Sequence, residues 1–284
     1  VYHRGERVVD LWAAPAHDTT FSPDSLVNVF SCGKSLESIA MAWLVDRGWL
    51  DYAAPIARYW PEFAAQGKGE LSVADVLRHE GGMAAFDTSI DPRDLLRENI
   101  VANAIGAIIE RQPLRFPPAP RSKREYHAFT RGWILNEVFR RVDAEHRTIG
   151  EFVEHELRRP LDIDVILGVS EAELGRIVSV KPLGFGYQLL QSLRPRKFGR
   201  KVVHSFFRLA ERIVRMLVDL RYATTSKAPP LFVGIEWLDH FNDRVGAMGE
   251  TPSAGAKCSA RGLAKLAAVM AARGRWGQRE VLSE

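Results

Sequence analysis

The stretch 35–47, Ser-Leu-Glu-Ser-Ile-Ala-Met-Ala-Trp-Leu-Val-Asp-Arg, constrains the fold of this chain most. Leu36, Ile39, Ala40, Trp43 and Leu44 recur at i, i+3, i+4, i+7 and i+8, the spacing of one helix face. Met41 and Val45 make the other face apolar too. A helix apolar nearly all round is stable only when other elements surround it. Gly48 stands where such a helix would end on a left-handed residue. Any fold for this chain must wrap a central helix.

The rest of the sequence supplies the wrapping. Val1–Tyr2, a turn at Arg4-Gly5-Glu6 and Val8-Val9-Asp10-Leu11-Trp12 read as a β-hairpin, and Leu26–Phe30 as a short strand. Pro55 starts a short helix, and Ser72 can cap another over Val73, Val76 and Leu77. His79-Glu80-Gly81-Gly82 reads as a loop, 92–112 as helical, and Phe116-Pro117-Pro118-Ala119-Pro120 as a proline-rich loop. Further helices are expected at about 129–142, at 149–158, and at 259–273 ending at Gly274. An amphipathic helix is expected over 203–220, with the stripe Val203, Phe206, Phe207, Ala210, Ile213, Val214 and Leu217. No internal repeat is evident. A stranded N-terminal end and a long helical middle predict an α/β (α+β) chain, its α-rich subdomain packed on or inserted into an α/β subdomain.

Composition narrows the functional classes. The chain has 284 residues, 46% hydrophobic and 26% charged, enough for a sizeable core and incompatible with disorder. No run approaches the roughly 18–20 apolar residues of a membrane span. Cys32 and Cys258 cannot form a disulfide framework or a zinc CxxC pair. His17, His79, His127, His146 and His155 are scattered without ligand spacing, so no metal or cofactor is expected. The net charge of +4 is uneven. Segment 194–227 holds ten Lys/Arg and two acids, a net +8, which leaves −4 on the remainder. The chain begins at Val1 inside a strand and stops at Ser283-Glu284 without a turn signal. It therefore reads as a fragment cut at both ends, with its compartment left open.

Ser31-Cys32-Gly33-Lys34 opens the central helix, and i and i+3 share a face, so Lys34 lies beside the Ser31 hydroxyl. Ser31 also suits an N-cap, and Lys34 a solvated charge. A cation in the first turn opposes the helix dipole, however, and the helix behind it is apolar all round. Burial and the positive helix end both disfavour a charged amine, which makes Lys34 a candidate general base for a serine nucleophile.

Val29-Phe30-Ser31-Cys32-Gly33-Lys34, Leu44-Val45-Asp46-Arg47-Gly48, Tyr59-Trp60-Pro61-Glu62-Phe63 and Val76-Leu77-Arg78-His79-Glu80-Gly81-Gly82 occur in that order. Glu125-Tyr126-His127-Ala128, Thr251-Pro252-Ser253-Ala254 and Ser259-Ala260-Arg261-Gly262-Leu263 follow. This series resembles the serine β-lactamase-related proteins: class C β-lactamases, DD-peptidases and β-lactamase-fold esterases. The resemblance covers most of the chain. It implies a penicillin-binding-protein-like fold, with the nucleophile helix between a helical subdomain and an antiparallel-sheet α/β subdomain whose sheet is incomplete here. On that division, 1–50 holds the strands and nucleophile helix, 51–250 a mainly helical subdomain with a basic insertion at 183–228, and 251–284 a return helix.

The resemblance implies an acyl-enzyme on Ser31, Lys34 taking or relaying its proton, and the Ser31 N–H giving half of an oxyanion hole. Tyr126 matches the second motif of the family as an acid/base residue, which requires its hydroxyl to move from a pKa near 10, with Lys34, Lys123 and Arg124 to help. Without the family, Tyr126 reads as a half-buried tyrosine with a bonded hydroxyl. Two departures matter. Position 128 is Ala where β-lactamases carry an Asn that binds the substrate amide, which favours esters over β-lactams. The third motif, Lys/His-x-Gly, is expected beyond Glu284, so residues 1–284 alone are not expected to be competent. His79-Glu80-Gly81 has its letters but follows the nucleophile helix too soon and reads as structural.

The expected activity is serine hydrolysis of an ester or amide, esterase-type first, on a small-molecule acyl substrate. The alternative is an inactive relative whose fold serves binding or assembly. Cys32 as nucleophile with His79 as base is set aside for Cys32 and Cys258 as packing residues. Helix 203–220, with Arg208, Arg212 and Arg215 opposite its stripe, reads first as a core-packed helix with a solvated basic face, then as a lid. A weak membrane-surface contact through 194–227 is the remaining alternative, and no nucleic-acid partner is expected.

Overall fold

The central helix runs from Lys34 to Asp46 (α1), and Leu36, Ile39, Ala40, Met41, Trp43 and Leu44 are all buried on it. Gly48 follows at φ +70° and ends it. In this computed structural model the described residues are 1–14, 20–116, 124–195, 197, 199, 202, 205–211, 214 and 229–283. They fall into two units, one of Val1–Val180 with Pro229–Glu284 and one of Lys181–Ala228.

In the first unit, α1 is enclosed by helices. The short α2 (Val73–Leu77) is held by a reciprocal cap between Ser72 and Asp75. Residues 92–112 are not one helix but a 3₁₀ turn at Pro92–Leu95, then α3 (Arg97–Val101) and α4 (Ala104–Arg111). The break falls at Asn103, which is left-handed at φ 68° and whose side-chain oxygen accepts hydrogen bonds from Arg140 and Arg141. Those tertiary bonds replace helical continuation. Helix α5 (Thr130–Val142) packs along α1, with Trp43 6.4 Å from Phe139 between ring centres, and Phe152, beyond α5, lies 5.3 Å from the same tryptophan ring. The expected helix 149–158 is α-helical only over Ile149–Phe152 and continues as a π-helix, Val153–Arg158.

The strands are short: β1 (Tyr2–His3), β2 (Glu6–Arg7), β3 (Val27–Asn28), β4 (Val165–Ile166), β5 (Lys257–Cys258), β6 (Arg275–Trp276) and β7 (Arg279–Glu280). Three of them form one antiparallel sheet in the order β3-β5-β4, with both Val27 and Val165 opposite Cys258. The first hairpin departs from expectation, because its return strand is Glu6–Arg7 rather than Val8–Trp12. Arg4 (φ 51°) and Gly5 (φ +86°) make a two-residue turn, which sets His3 opposite Glu6. Likewise, the strand expected over Leu26–Phe30 is limited to Val27–Asn28, since Phe30 at φ 46° leaves extended geometry. The return helix, Ala260–Ala271, is capped by Ser259, whose hydroxyl accepts from the Gly262 N–H.

The basic stretch read as an insertion at 183–228 lies within the second unit. A helix spans Phe185–Ser192, and residues 206–211 are helical. The rest of the helix read over 203–220, Ser205 and Val214 apart, lies outside the described residues, as do His17, Lys123 and positions 117–120 of the proline-rich loop.

Candidate active site

Ser31 lies in a 3₁₀ turn, Phe30–Gly33, that runs directly into α1 at Lys34. In 3₁₀ geometry residues i and i+3 eclipse one another, so the turn stacks Lys34 under Ser31. Two features fix this turn. Phe30 is held at φ 46°, a strained conformation for an aromatic residue, by edge contacts of its ring with Phe241 at 5.4 Å and Trp237 at 6.5 Å. Gly33 lies so close to the neighbouring segment that a Cβ there would stand 2.6 Å from the Pro252 carbonyl oxygen. The turn also explains Cys32. Gly33 faces Pro252, and Cys32 is left exposed rather than packed, correcting the expectation, whereas Cys258 is buried and its thiol is pushed up to about 12 by burial.

The three residues singled out in the sequence come together. The Ser31 hydroxyl is exposed and hydrogen-bonds the Tyr126 hydroxyl at 2.8 Å. Lys34 is buried, and its amine donates to the carbonyl oxygens of Ala128 at 2.8 Å and Ser253 at 3.1 Å. The same nitrogen lies 4.9 Å from the centre of the Tyr126 ring. Tyr126 is 54% exposed with its hydroxyl bonded to Ser31, which also fits the reading of a half-buried tyrosine with a bonded hydroxyl. Burial resists ionisation of its hydroxyl, but the hydrogen bond with Ser31 and the nearby charged Lys34 amine outweigh that, and its pKa lies below the ordinary 10. Position 128 enters through its backbone oxygen, which any residue type would supply.

Beneath these groups is a buried layer. Glu37, one turn after Lys34, pairs with Arg131 at 2.9 Å and accepts from the Ser253 hydroxyl. Ser253 in turn accepts from the Gly132 N–H at 2.9 Å. One residue thus links α1, the start of α5 and the segment whose carbonyl holds Lys34. Burial pushes Glu37 up to about 7, against the pull of Arg131, Ser253 and Lys34. Gly132 is required here, because a Cβ would come within 2.5 Å of the Ser253 nitrogen.

Two histidines hold the Tyr126 loop. His127 is buried; its Nδ1 donates to the Glu125 carbonyl at 2.6 Å and its Nε2 accepts from the Met83 N–H at 3.2 Å, a pairing that assigns the proton to Nδ1. His79 Nδ1 accepts from the His127 N–H at 3.1 Å, and its ring lies 4.9 Å from that of Tyr126. Burial, then the charge of Arg131, pushes His79 down to about 4. A neutral ring used as a backbone acceptor positions a loop; it is not placed as the base of Cys32.

Sequence reasoning passed over Glu37 and Arg131. Glu37 carried a signal, as the one acid between Lys34 and Val45 in an otherwise apolar helix. Arg131 carried none, since nothing local distinguishes a buried arginine at a helix start. Phe30 and, far from it in sequence, Trp237 and Phe241 form an aromatic wall beside the Ser31 turn, with Trp237 partly open to solvent.

The family described as Beta-lactamase matches residues 1–284. The chain is 35% identical over 167 residues to the esterase/beta-lactamase LipL of Mycobacterium tuberculosis (strain ATCC 25618 / H37Rv), covering 58% of this chain and 37% of that protein. Among solved structures it is similar to EstA from Arthrobacter nitroguajacolicus Rue61a, with 26% identity and a TM-score of 0.66 over 99% of this chain and 64% of that one. It is also similar to a family VIII carboxylesterase, with 26% identity and a TM-score of 0.66 over 92% and 59%. The chain therefore spans less than two thirds of the length of each of these relatives.

Proposed function

From the premise that the chain belongs to the beta-lactamase family, we propose that it is a serine hydrolase of esterase type, forming an acyl-enzyme on Ser31. The observation that carries this reading is the 2.8 Å contact between the Ser31 and Tyr126 hydroxyls, with the Lys34 amine 4.9 Å from the tyrosine ring. Ser31 Oγ attacks the ester carbonyl carbon while its proton passes to the Tyr126 oxygen, and the carbonyl π electrons move onto oxygen as the oxyanion. Collapse of that intermediate expels the alcohol, which takes the proton from Tyr126 and leaves the acyl group on Ser31. Water then repeats the sequence, giving its proton to Tyr126 and releasing the acid as Ser31 recovers its own.

In this scheme Lys34 works through Tyr126. Its amine is anchored on two carbonyl oxygens, and its charge favours the phenolate that accepts the serine proton. The N–H of Ser31, in the first turn of a helix, has no partner one turn back and serves as an oxyanion donor. Ala128 in place of Asn supports esters over β-lactams, and the aromatic wall of Phe30, Trp237 and Phe241 supports an apolar acyl or alcohol group. The names of LipL, EstA and the family VIII carboxylesterase support the same reaction class.

A fluorophosphonate probe on the full-length protein tests this. Labelling at Ser31, lost in Ser31→Ala, is expected. Absence of labelling in a protein with native circular dichroism would sink the proposal and favour the non-enzymatic relative used for binding or assembly.

A further inference from the structure

None of the site residues described above comes from Lys181–Ala228, and this unit has a surface of a different kind. Its helix Phe185–Ser192 has inverted exposure. Phe185 and Leu190 are 59% and 58% exposed, and the flanking Leu183 and Leu193 are 57% and 60% exposed. The polar Gln191 and Ser192 are buried, at 6% and 4%. In the helical stretch 206–211, Phe207 is 83% exposed, with the Phe206 ring against it at 5.9 Å. One exposed leucine is ordinary, but Leu183, Phe185, Leu190, Leu193 and Phe207 all exposed within one short unit mark an interaction surface.

Charge identifies the partner. Residues 181–228 hold eleven Lys/Arg against Glu211 and Asp219, a net +9, so the remaining residues together carry −5. Arg194 and Arg208, close in sequence to the exposed apolar residues, are themselves exposed. A second copy would bring +9 against +9, which opposes self-association. A nucleic acid would answer the charge but not the aliphatic Leu183, Leu190 and Leu193. An anionic lipid surface answers both, with headgroups for the arginines and the acyl boundary for the apolar side chains. No described helix is long and apolar enough to cross a membrane, so the fit is to the surface.

We propose that Leu183, Phe185, Leu190, Leu193 and Phe207, with Arg194 and Arg208, dock this protein on anionic membrane surfaces. The proposal is independent of the chemistry at Ser31.

The test is co-sedimentation of the full chain with vesicles of phosphatidylcholine alone or mixed with phosphatidylglycerol, at low and high salt. Binding to the anionic vesicles only, weakened by salt, is expected. Arg194→Gln with Arg208→Gln should weaken it about 30-fold, from about 1 kcal/mol per basic residue. Phe185→Ser, Leu190→Ser and Phe207→Ser combined should weaken it at least tenfold without changing circular dichroism. Phe207→Trp gives a second readout that needs no loss of binding. Its emission should shift to the blue on anionic vesicles and be quenched by brominated lipid. Four results would each overturn the proposal: no anionic-vesicle binding, an unshifted Phe207→Trp emission, tighter binding to duplex DNA than to vesicles, or a vesicle-independent dimer abolished by the triple variant. Fluorophosphonate labelling of Ser31, scored in parallel, keeps a failure here separate from a failure of the hydrolase reading.

Discussion

The Ser31 site and the Lys181–Ala228 unit use the same residue types to opposite effect. At the site, a buried cation has its donors fixed on the Ala128 and Ser253 carbonyls, and the acid beneath it has its own arginine. In the second unit, Arg194 and Arg208 are exposed beside apolar side chains that are exposed too. Burial accounts for the contrast. A polar group removed from water must find a partner inside the fold, so its position is specified to within a hydrogen bond. A group left in water is specified only by what it will meet there. The site is therefore expected to respond sharply to single substitutions, and the second unit to change its binding without changing its fold.

The largest effect should come from Lys34→Ala. Removing this charge withdraws the attraction that helps hold the Tyr126 hydroxyl below its ordinary pKa, so that pKa rises. At neutral pH the fluorophosphonate labelling rate of Ser31 should fall by about 10²–10⁴, the range for loss of general-base assistance. The rising limb of its pH profile should move to higher pH. A labelling rate within twofold of the parent would show that Tyr126 does not depend on Lys34.

How far the site was legible in the sequence follows the same division. Ser31, Lys34 and Tyr126 could be read because each lies in a local pattern: a spacing of three at a helix start, or a motif resembling a known family. α1 could be read because its apolar residues recur with helical spacing, whereas α5 is buried on every side over Thr130–Phe139 and was read from Trp133, Ile134 and Val138. Asn103 was hidden because its left-handed turn is set by Arg140 and Arg141, nearly forty residues away. The second strand of the first hairpin was misplaced because Val8 and Val9 look more strand-like than Glu6 and Arg7, while the turn at Arg4 and Gly5 decides the register. Arg131 became visible only through its partner Glu37, across two helices.

Glu37→Gln sharpens the comparison through pH. In the folded protein Glu37 titrates near 7, against 4.5 as a free side chain. Between those values the folded state binds more protons than the unfolded one, so this group makes stability fall as pH rises from 4.5 to 7. Its unfavourable contribution is complete above 7 and absent below 4.5. The full difference is on the order of 3 kcal/mol. Glu250, buried and also near 7, acts in the same sense. His79 and His240, both pushed down to about 4 by burial, act oppositely, losing stability as pH falls through 6.5 to 4. The parent therefore balances acids against histidines in this window. With Gln at 37, stability should rise with pH by about 1.4 kcal/mol per unit more than in the parent near the middle of the window. Urea denaturation at half-unit intervals measures this. Parallel curves for parent and variant would place the titration of Glu37 outside the window and weaken the account of the buried layer.

The smallest effect should separate the two regions most directly. Leu44 on α1 is fully buried, and Leu44→Ala should cost about 2–5 kcal/mol, the range for a leucine truncated in a packed core. Leu190 is 58% exposed, and Leu190→Ser should lie within about 0.5 kcal/mol of the parent. It removes apolar area that folding of the described chain leaves largely in water, so the folded state loses little. If Leu190→Ser instead destabilised the protein by as much as Leu44→Ala, its side chain would be part of a core in solution. The exposed apolar surface would then be an internal packing face, and the membrane proposal would lose the observation it stands on.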